Sequence, residues 1–294
     1  MSWVLLSILA AFLWALVNVF DKYAITKLVK HPYTPVMVVS TIGLIASILV
    51  YLFHGYAVLS WTQLLLAFLA GLFYLGMDVF YFYAIRLDEI SKLVPLFYLT
   101  PLFILVLAAL SLSEVFTTQK YAGIFLLVFG AMLLSMKKGL NFSLGKAFWL
   151  MILSCISLAI SQVLMKYLLH TVDYWTVFSY IRIGTFLGSI PLLYACIPDI
   201  KRTFRKQGTK AFAIISVGGS LNVVAVLLIT AAASVGYVTL VNALASFQPF
   251  FLLAITVCLS LFYPHIIKEE ISKGAVTLKF LAVLCLVLGG VLVA

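Results

Sequence analysis

The chain has 294 residues, 65% of them hydrophobic and only 10% charged, with a formal net charge of +10. Ordinary soluble domains carry roughly 45–50% apolar and about 25% charged residues, so this composition excludes a water-soluble fold. A helix needs roughly 20 apolar residues to cross about 30 Å of hydrocarbon, and the chain has room for about ten such helices and little else, which leaves no soluble catalytic or sensory domain.

In chain order the stretches that meet this length are Ser2–Ala24, Pro35–Phe53, Leu64–Ile85, Leu93–Leu112, Thr118–Met136, Phe148–Leu168, Trp175–Ile197, Phe212–Ala233, Val238–Phe262 and Leu278–Val293. The expected fold is therefore an all-α integral membrane protein with ten transmembrane helices in the lipid bilayer. Met1-Ser2-Trp3-Val4 has no basic leader, so the first stretch is expected to remain as a helix. The positive charge does not point to nucleic acid, because the basic residues sit between the apolar spans. Of the 19 Lys and Arg, all but Lys120, Lys166 and Arg182 fall in the odd-numbered connections. By the positive-inside rule those connections are cytoplasmic and both termini outside, in a multi-pass cell (inner or plasma) membrane protein. The Asp199–Lys210 stretch and the polar His265–Lys273 stretch are expected to be connections, the first with enough basic residues to meet anionic headgroups.

The spans repeat. Asn18-Val-Phe-Asp-Lys22-Tyr23 in the first matches Gln162-Val-Leu-Met-Lys166-Tyr167 in the sixth. Tyr83-Ala-Ile-Arg86, Ser91 and Pro101 match Ala231-Ala-Ala-Ser234, Thr239 and Pro249, and Leu127–Gly130 matches Leu286–Gly289. The chain divides into halves 1–140 and 141–294.

Polar residues inside spans are costly and so mark interior faces. Ser7, Trp14, Asn18 and Asp21/Lys22 share one face of the first helix, and Ser154, Ser157 or Ser161 and Lys166 one face of the sixth. Such a stripe either holds helices together or walls a substrate cavity. Asp78, between Tyr74 and Tyr81, is the only acidic residue well inside a span, and serves either a proton or cationic substrate or a structural ion pair with Arg182 or Lys166. Arg182, the only arginine well inside a span, serves as an anion contact or a gate. Tyr74 aligns with Asn222, each one turn beyond a glycine, Gly71 and Gly219. Tyr98, Thr100, Asn242, Ser246 and Gln248 place hydrogen-bonding groups near Pro101 and Pro249, which are expected to bend their helices. The candidate substrate contacts are thus Trp14, Asn18, Tyr74, Asp78, Tyr81, Tyr98, Gln162, Lys166, Arg182, Asn222, Asn242 and Gln248.

The pattern resembles the EamA-type ten-helix members of the drug/metabolite transporter superfamily. The pieces that carry it are Trp14 with Lys22, the small-residue turns before Pro101 and Pro249, Glu114 followed by Lys120 and Gly123, and Arg182. The resemblance implies five-plus-five inverted repeats that move a small metabolite by alternating access. Helices one to four and six to nine would line the path, with five and ten at the edge or in a homodimer contact. It departs from the pattern where Val38 stands opposite Arg182, where the second half lacks an equivalent of Glu114, and in the outside termini.

No GxxxxGK[ST], HExxH or GxSxG sequence occurs, so neither nucleotide hydrolysis nor another enzymatic activity is expected, and no cofactor. Cys155, Cys196, Cys258 and Cys285 are scattered through apolar spans and imply no metal. The expected function is secondary transport of a small polar metabolite such as an amino acid or amine. The alternative is translocation of a lipid or lipid-linked phosphate carrier, for which Lys22 and Lys166 would suit a headgroup.

Overall fold

The computed structural model describes residues 2–23, 33–88, 90–136, 145–262 and 273–294. Lys27, Lys30, Glu269 and Glu270, the side chain of Lys22 and most of the predicted 265–273 connection lie outside the described residues. Among the described residues every regular element is helical: α1 (Trp3–Tyr23), α2 (Tyr33–His54), α3 (Trp61–Leu87), α4 (Ile90–Phe97), α5 (Thr100–Leu112), α6 (Thr118–Ser135), α7 (Lys146–Leu169), α8 (Tyr174–Val235), α9 (Val238–Ala245), α10 (Gln248–Phe262) and α11 (Lys273–Val293). Nine described stretches are long and apolar enough to cross a membrane, and Leu278–Val293 is a shorter tenth. The chain is an integral membrane protein of all-α class.

Two differences from the sequence expectation have local causes. The fourth and ninth spans are broken, not bent. Pro101 and Pro249 occupy the first turns of α5 and α10, where a missing N–H removes no helical bond. The chain before each makes tight three-residue bonds instead: Tyr98 and Leu99 donate to Pro95 and Leu96, Ser246 and Phe247 to Ala243 and Leu244. The Asp199–Lys210 stretch, expected as a connection, continues α8 as helix up to Gly208, whose positive φ of 60° is the residue that breaks it. Lys, Arg, Phe and Gln all tolerate helix, and only glycine adopts that dihedral cheaply. α8 therefore holds two spans, Tyr174–Lys206 and Phe212–Val235.

Two helices start at well-formed caps. Ser60 accepts from the Gln63 N–H while Gln63 Oε1 accepts from the Ser60 N–H, opening α3. Asp173 opens α8, accepting from Thr176 N at 3.0 Å, with His54 Nε2 3.7 Å away. Burial alone would push the Asp173 carboxyl up, but the hydrogen bonds from Thr176 and the His54 charge outweigh it and hold the carboxyl below its usual range. A depressed carboxylate contributes its stability above the ordinary carboxylate range and loses it as pH falls through the depressed value. Asp173→Ala is expected to lower the unfolding midpoint at pH 7 by the equivalent of about 1 kcal/mol, with the gap closing near pH 3; an unchanged gap between the two pH values would contradict this.

The bundle packs through α3 against α7, α1 against α8, α2 against α8, α3 against α8, and α6 against α11. The α6 and α11 backbones nearly touch: a Cβ at Gly130 would stand 2.8 Å from Ala282 O, and one at Gly289 2.8 Å from Gly123 O. Large apolar side chains such as Leu52, Leu110, Phe129 and Val291 are exposed, as a hydrocarbon surround requires.

Candidate functional site

Polar and apolar residues of α3, α7 and both spans of α8 meet around a small, partly enclosed cavity of about 10 Å³, room for a single water. Its lining includes Tyr74 from α3, Ser161, Gln162 and Met165 from α7, Phe178 and Arg182 from the first span of α8, and Val226 and Thr230 from the second. α3 reaches this point because Gly71 lets its backbone lie against Ile181 and Thr185 of α8, and the Thr185 hydroxyl donates to Gly71 O at 3.2 Å. Ser161 Oγ donates to Ala70 O at 2.8 Å, tying α7 to the same turn of α3.

Among the described residues Arg182 is the largest fully buried side chain, 1% exposed. Its Cζ lies 4.5 Å from the Tyr74 ring centroid and 5.8 Å from that of Phe178, so the cation rests on two aromatic faces. The Tyr74 hydroxyl lies within polar range of Arg182 and Asn222, yet none of the guanidinium nitrogens has a well-formed hydrogen bond among the described residues. Asp78, one turn beyond Tyr74, lies within electrostatic range of Arg182 and of Asp21, but no ion pair joins Asp78 to Arg182 or to Lys166 among the described residues. Gln162 Oε1 also has no partner.

Beside the cavity, Trp14 Nε1 donates to Asn222 Oδ1 at 2.8 Å, across 208 residues of sequence, and Gln248 Nε2 donates to Trp14 O at 3.3 Å. The structure thus brings Trp14, Tyr74, Asp78, Gln162, Arg182, Asn222 and Gln248 into one neighbourhood. Asn18 stays half-buried one turn beyond Trp14, and Tyr81 stacks edge-on with Phe82 and Phe97. Three other candidates lie elsewhere. Tyr98 packs with Ile124, Leu127 and Leu240 towards α6. The Asn242 amide donates to Val238 O on its own helix. Lys166 Nζ donates to Ala233 O and Gly236 O, each at 2.8 Å, closing the end of α8.

Lys166 belongs to a second polar assembly. Glu114, 3% exposed, accepts from Val238 N (2.9 Å), Thr239 N (3.2 Å) and Thr239 Oγ1 (2.8 Å). Its carboxylate supplies a long-range cap to the start of α9, where helix N–H groups favour an anion. Glu114 and Lys166 thereby pin both sides of the α8–α9 turn. Sequence reasoning marked Glu114 only through the family pattern, because its partners lie more than 120 residues away. Phe178 and Thr230 were also not anticipated; the signal was their spacing, Phe178 one turn from Arg182, and Thr230 two turns from Asn222.

Residues 1–136 match the EamA-like transporter family. No curated protein matches the chain in sequence. A solved structure described only as "Crystal structure of protein" shares the fold with a TM-score of 0.73 and 18% identity, covering 99% of this chain and 95% of the other.

Proposed function

We propose that this chain, whose residues 1–136 match the EamA-like transporter family, carries a small polar metabolite, an amino acid, amine or similar solute, by alternating access through the cavity at Arg182. The observation that carries this reading is the small space itself, held between α3, α7 and α8, where Ser161, Gln162, Arg182 and Thr230 stand among mostly apolar lining side chains.

The reading of two inverted repeats is supported by how the helices pair. α3 on α7 and α1 on the second span of α8 are the same contact exchanged between halves, and so are α5 on α7 and α1 on α10. The orientation of the chain in the membrane is read from charge. Arg86, Lys146 and the Lys201–Lys206 run gather at one end of the bundle, and we assign that end to the cytoplasm, with Glu114, Lys166 and both termini outside.

Lipid translocation is the second reading. It is favoured by a shallow, open and mostly apolar hollow along one stretch of α8, lined by Ser216, Val217, Ser220, Leu221 and Val224, which shares no lining residue with the Arg182 cavity. A thermal-stability screen of the purified protein separates the two. Amino acids, polyamines, nucleosides, sugar nucleotides and isoprenoid phosphates are compared on wild type and Asn222→Leu, which removes the Trp14 bond. A ligand at about 100 times its Kd stabilises by roughly 2.7 kcal/mol. A soluble class that shifts wild type but not the variant supports the metabolite reading; a response to isoprenoid phosphates alone replaces it with the lipid one.

A further inference from the structure

The chemistry of the cavity narrows its ligand. Arg182 keeps its charge at any physiological pH, and its guanidinium offers five N–H donors in a planar fork. Removing such a cation from water costs several kcal/mol. The two aromatic faces beneath it return only part of that cost, and no described carboxylate reaches ion-pair distance. All three guanidinium nitrogens are buried without a well-formed hydrogen bond among the described residues, with only the Tyr74 hydroxyl in polar range of the group, and the Gln162 Oε1 acceptor in the same lining has no partner there either. Ser161 Oγ donates to Ala70 O and Thr230 Oγ1 to Val226 O, and the Tyr74 hydroxyl lies within polar range of Asn222 and of one part of the Arg182 fork. What remains open is a fork of cationic donors beside one neutral acceptor.

We propose that Arg182 is the anion-recognition group of this cavity, and that the ligand carries a carboxylate or phosphate for the guanidinium together with an N–H or O–H group for Gln162. This inference rests on the transport reading and deepens it: simple amines are excluded as ligands, whereas amino acids, hydroxy acids and phosphorylated compounds fit. Arg–carboxylate and Arg–phosphate pairs are commonly bidentate and charge-assisted, which gives both affinity and orientation. Tyr74 and Phe178 then have a defined part. Their faces hold the cation while the cavity is closed, and Arg182 leaves them to meet the anion, so the cavity widens from its water-sized volume when ligand enters. The same chemistry serves a soluble anion or the phosphate of a lipid headgroup.

The test measures the unfolding midpoint of the purified full chain at fixed ionic strength, with chloride as the reference anion. The probes are inorganic phosphate, succinate, glutamate and the dication putrescine, in detergent. In parallel, nanodiscs of phosphatidylglycerol are compared with nanodiscs of phosphatidylcholine. Variants are Arg182→Gln, which removes the charge, and Arg182→Lys, which keeps the charge and loses the fork. Phosphate, succinate or glutamate is expected to raise the wild-type midpoint saturably, Arg182→Gln to lose the response, and Arg182→Lys to need at least about tenfold more anion. If Arg182→Gln does not fold, the wild-type and Arg182→Lys titrations decide alone. A response to phosphatidylglycerol alone, lost in the variants, supports the anion assignment and transfers it to a headgroup. A response to putrescine without any anion response overturns the assignment and leaves the transport reading intact. No anion response in wild type, or equal responses in wild type and either variant, overturns it as well.

Discussion

Gly71→Ala is expected to lower the unfolding midpoint of the protein more than any other single-methyl substitution in the bundle. A Cβ at this position would stand 2.6 Å from Ile181 O, 2.6 Å from Thr185 N and 2.8 Å from the Gly184 carbonyl carbon. All three are backbone atoms of α8 and none can rotate away, so α3 must shift as a unit. Overpacking a well-filled interior costs typically 1–3 kcal/mol, and here the shift also strains the Thr185 bond to Gly71 O and the Ser161 bond to Ala70 O. Tyr74 sits one turn further along α3, so the platform under Arg182 moves with it. Gly188→Ala is the matched control, because its nearest atom, at 2.4 Å, is the flexible end of Leu72. Thermal unfolding of both variants in the same detergent checks the argument, which fails if Gly71→Ala is no worse than Gly188→Ala.

Glu114→Ala is expected to be comparably severe for a different reason. The substitution strands two buried backbone N–H groups and the Thr239 hydroxyl, and leaves Lys166 at the same turn without the nearby negative charge. An unsatisfied buried donor costs about 1–3 kcal/mol, so the loss should reach about 3 kcal/mol or more. Glu114→Gln retains acceptor capacity through one oxygen and should lie between wild type and alanine. Both are read as unfolding midpoints; a Glu114→Gln variant as damaged as alanine would mean the carboxylate acts through its charge rather than as the cap of α9.

The membrane architecture could be read from the sequence because hydrocarbon imposes a length and a polarity on every span, and α1, α2, α3, α6, α7 and α11 fall where the apolar runs put them. The breaks at Pro101 and Pro249 were half legible: proline announces a disturbed helix, but whether the chain bends or re-caps depends on the residues stacked around it. The helical run through Asp199–Lys206 was hidden because basic residues between two spans read equally as loop or as solvated helix. Within the site, sequence marked Arg182, Tyr74, Gln162, Trp14 and Asn222 individually as polar or aromatic residues in apolar surroundings. It did not reveal that Arg182 would rest on Tyr74 rather than pair with Asp78, nor that Trp14 would bond Asn222, since both pairings are set by the packing of α1 and α3 on α8. Tyr98 and Asn242 show the converse: a polar group in a span can be fully accounted for by its own helix or a neighbouring core.

On the transport reading the Arg182 cavity is a path opened to each side of the membrane in turn. The most direct measurement replaces Thr230, which lines the cavity, by cysteine in a chain whose Cys155, Cys196, Cys258 and Cys285 are substituted, and follows its reaction with a membrane-impermeant thiol reagent applied first to one face of oriented vesicles and then to the other. Reaction from both faces, slowed by the solute identified in the stability screen, is the predicted result. Reaction from neither face, or from one face only whatever solute is present, would contradict the account and make the cavity a sealed element of the bundle's packing.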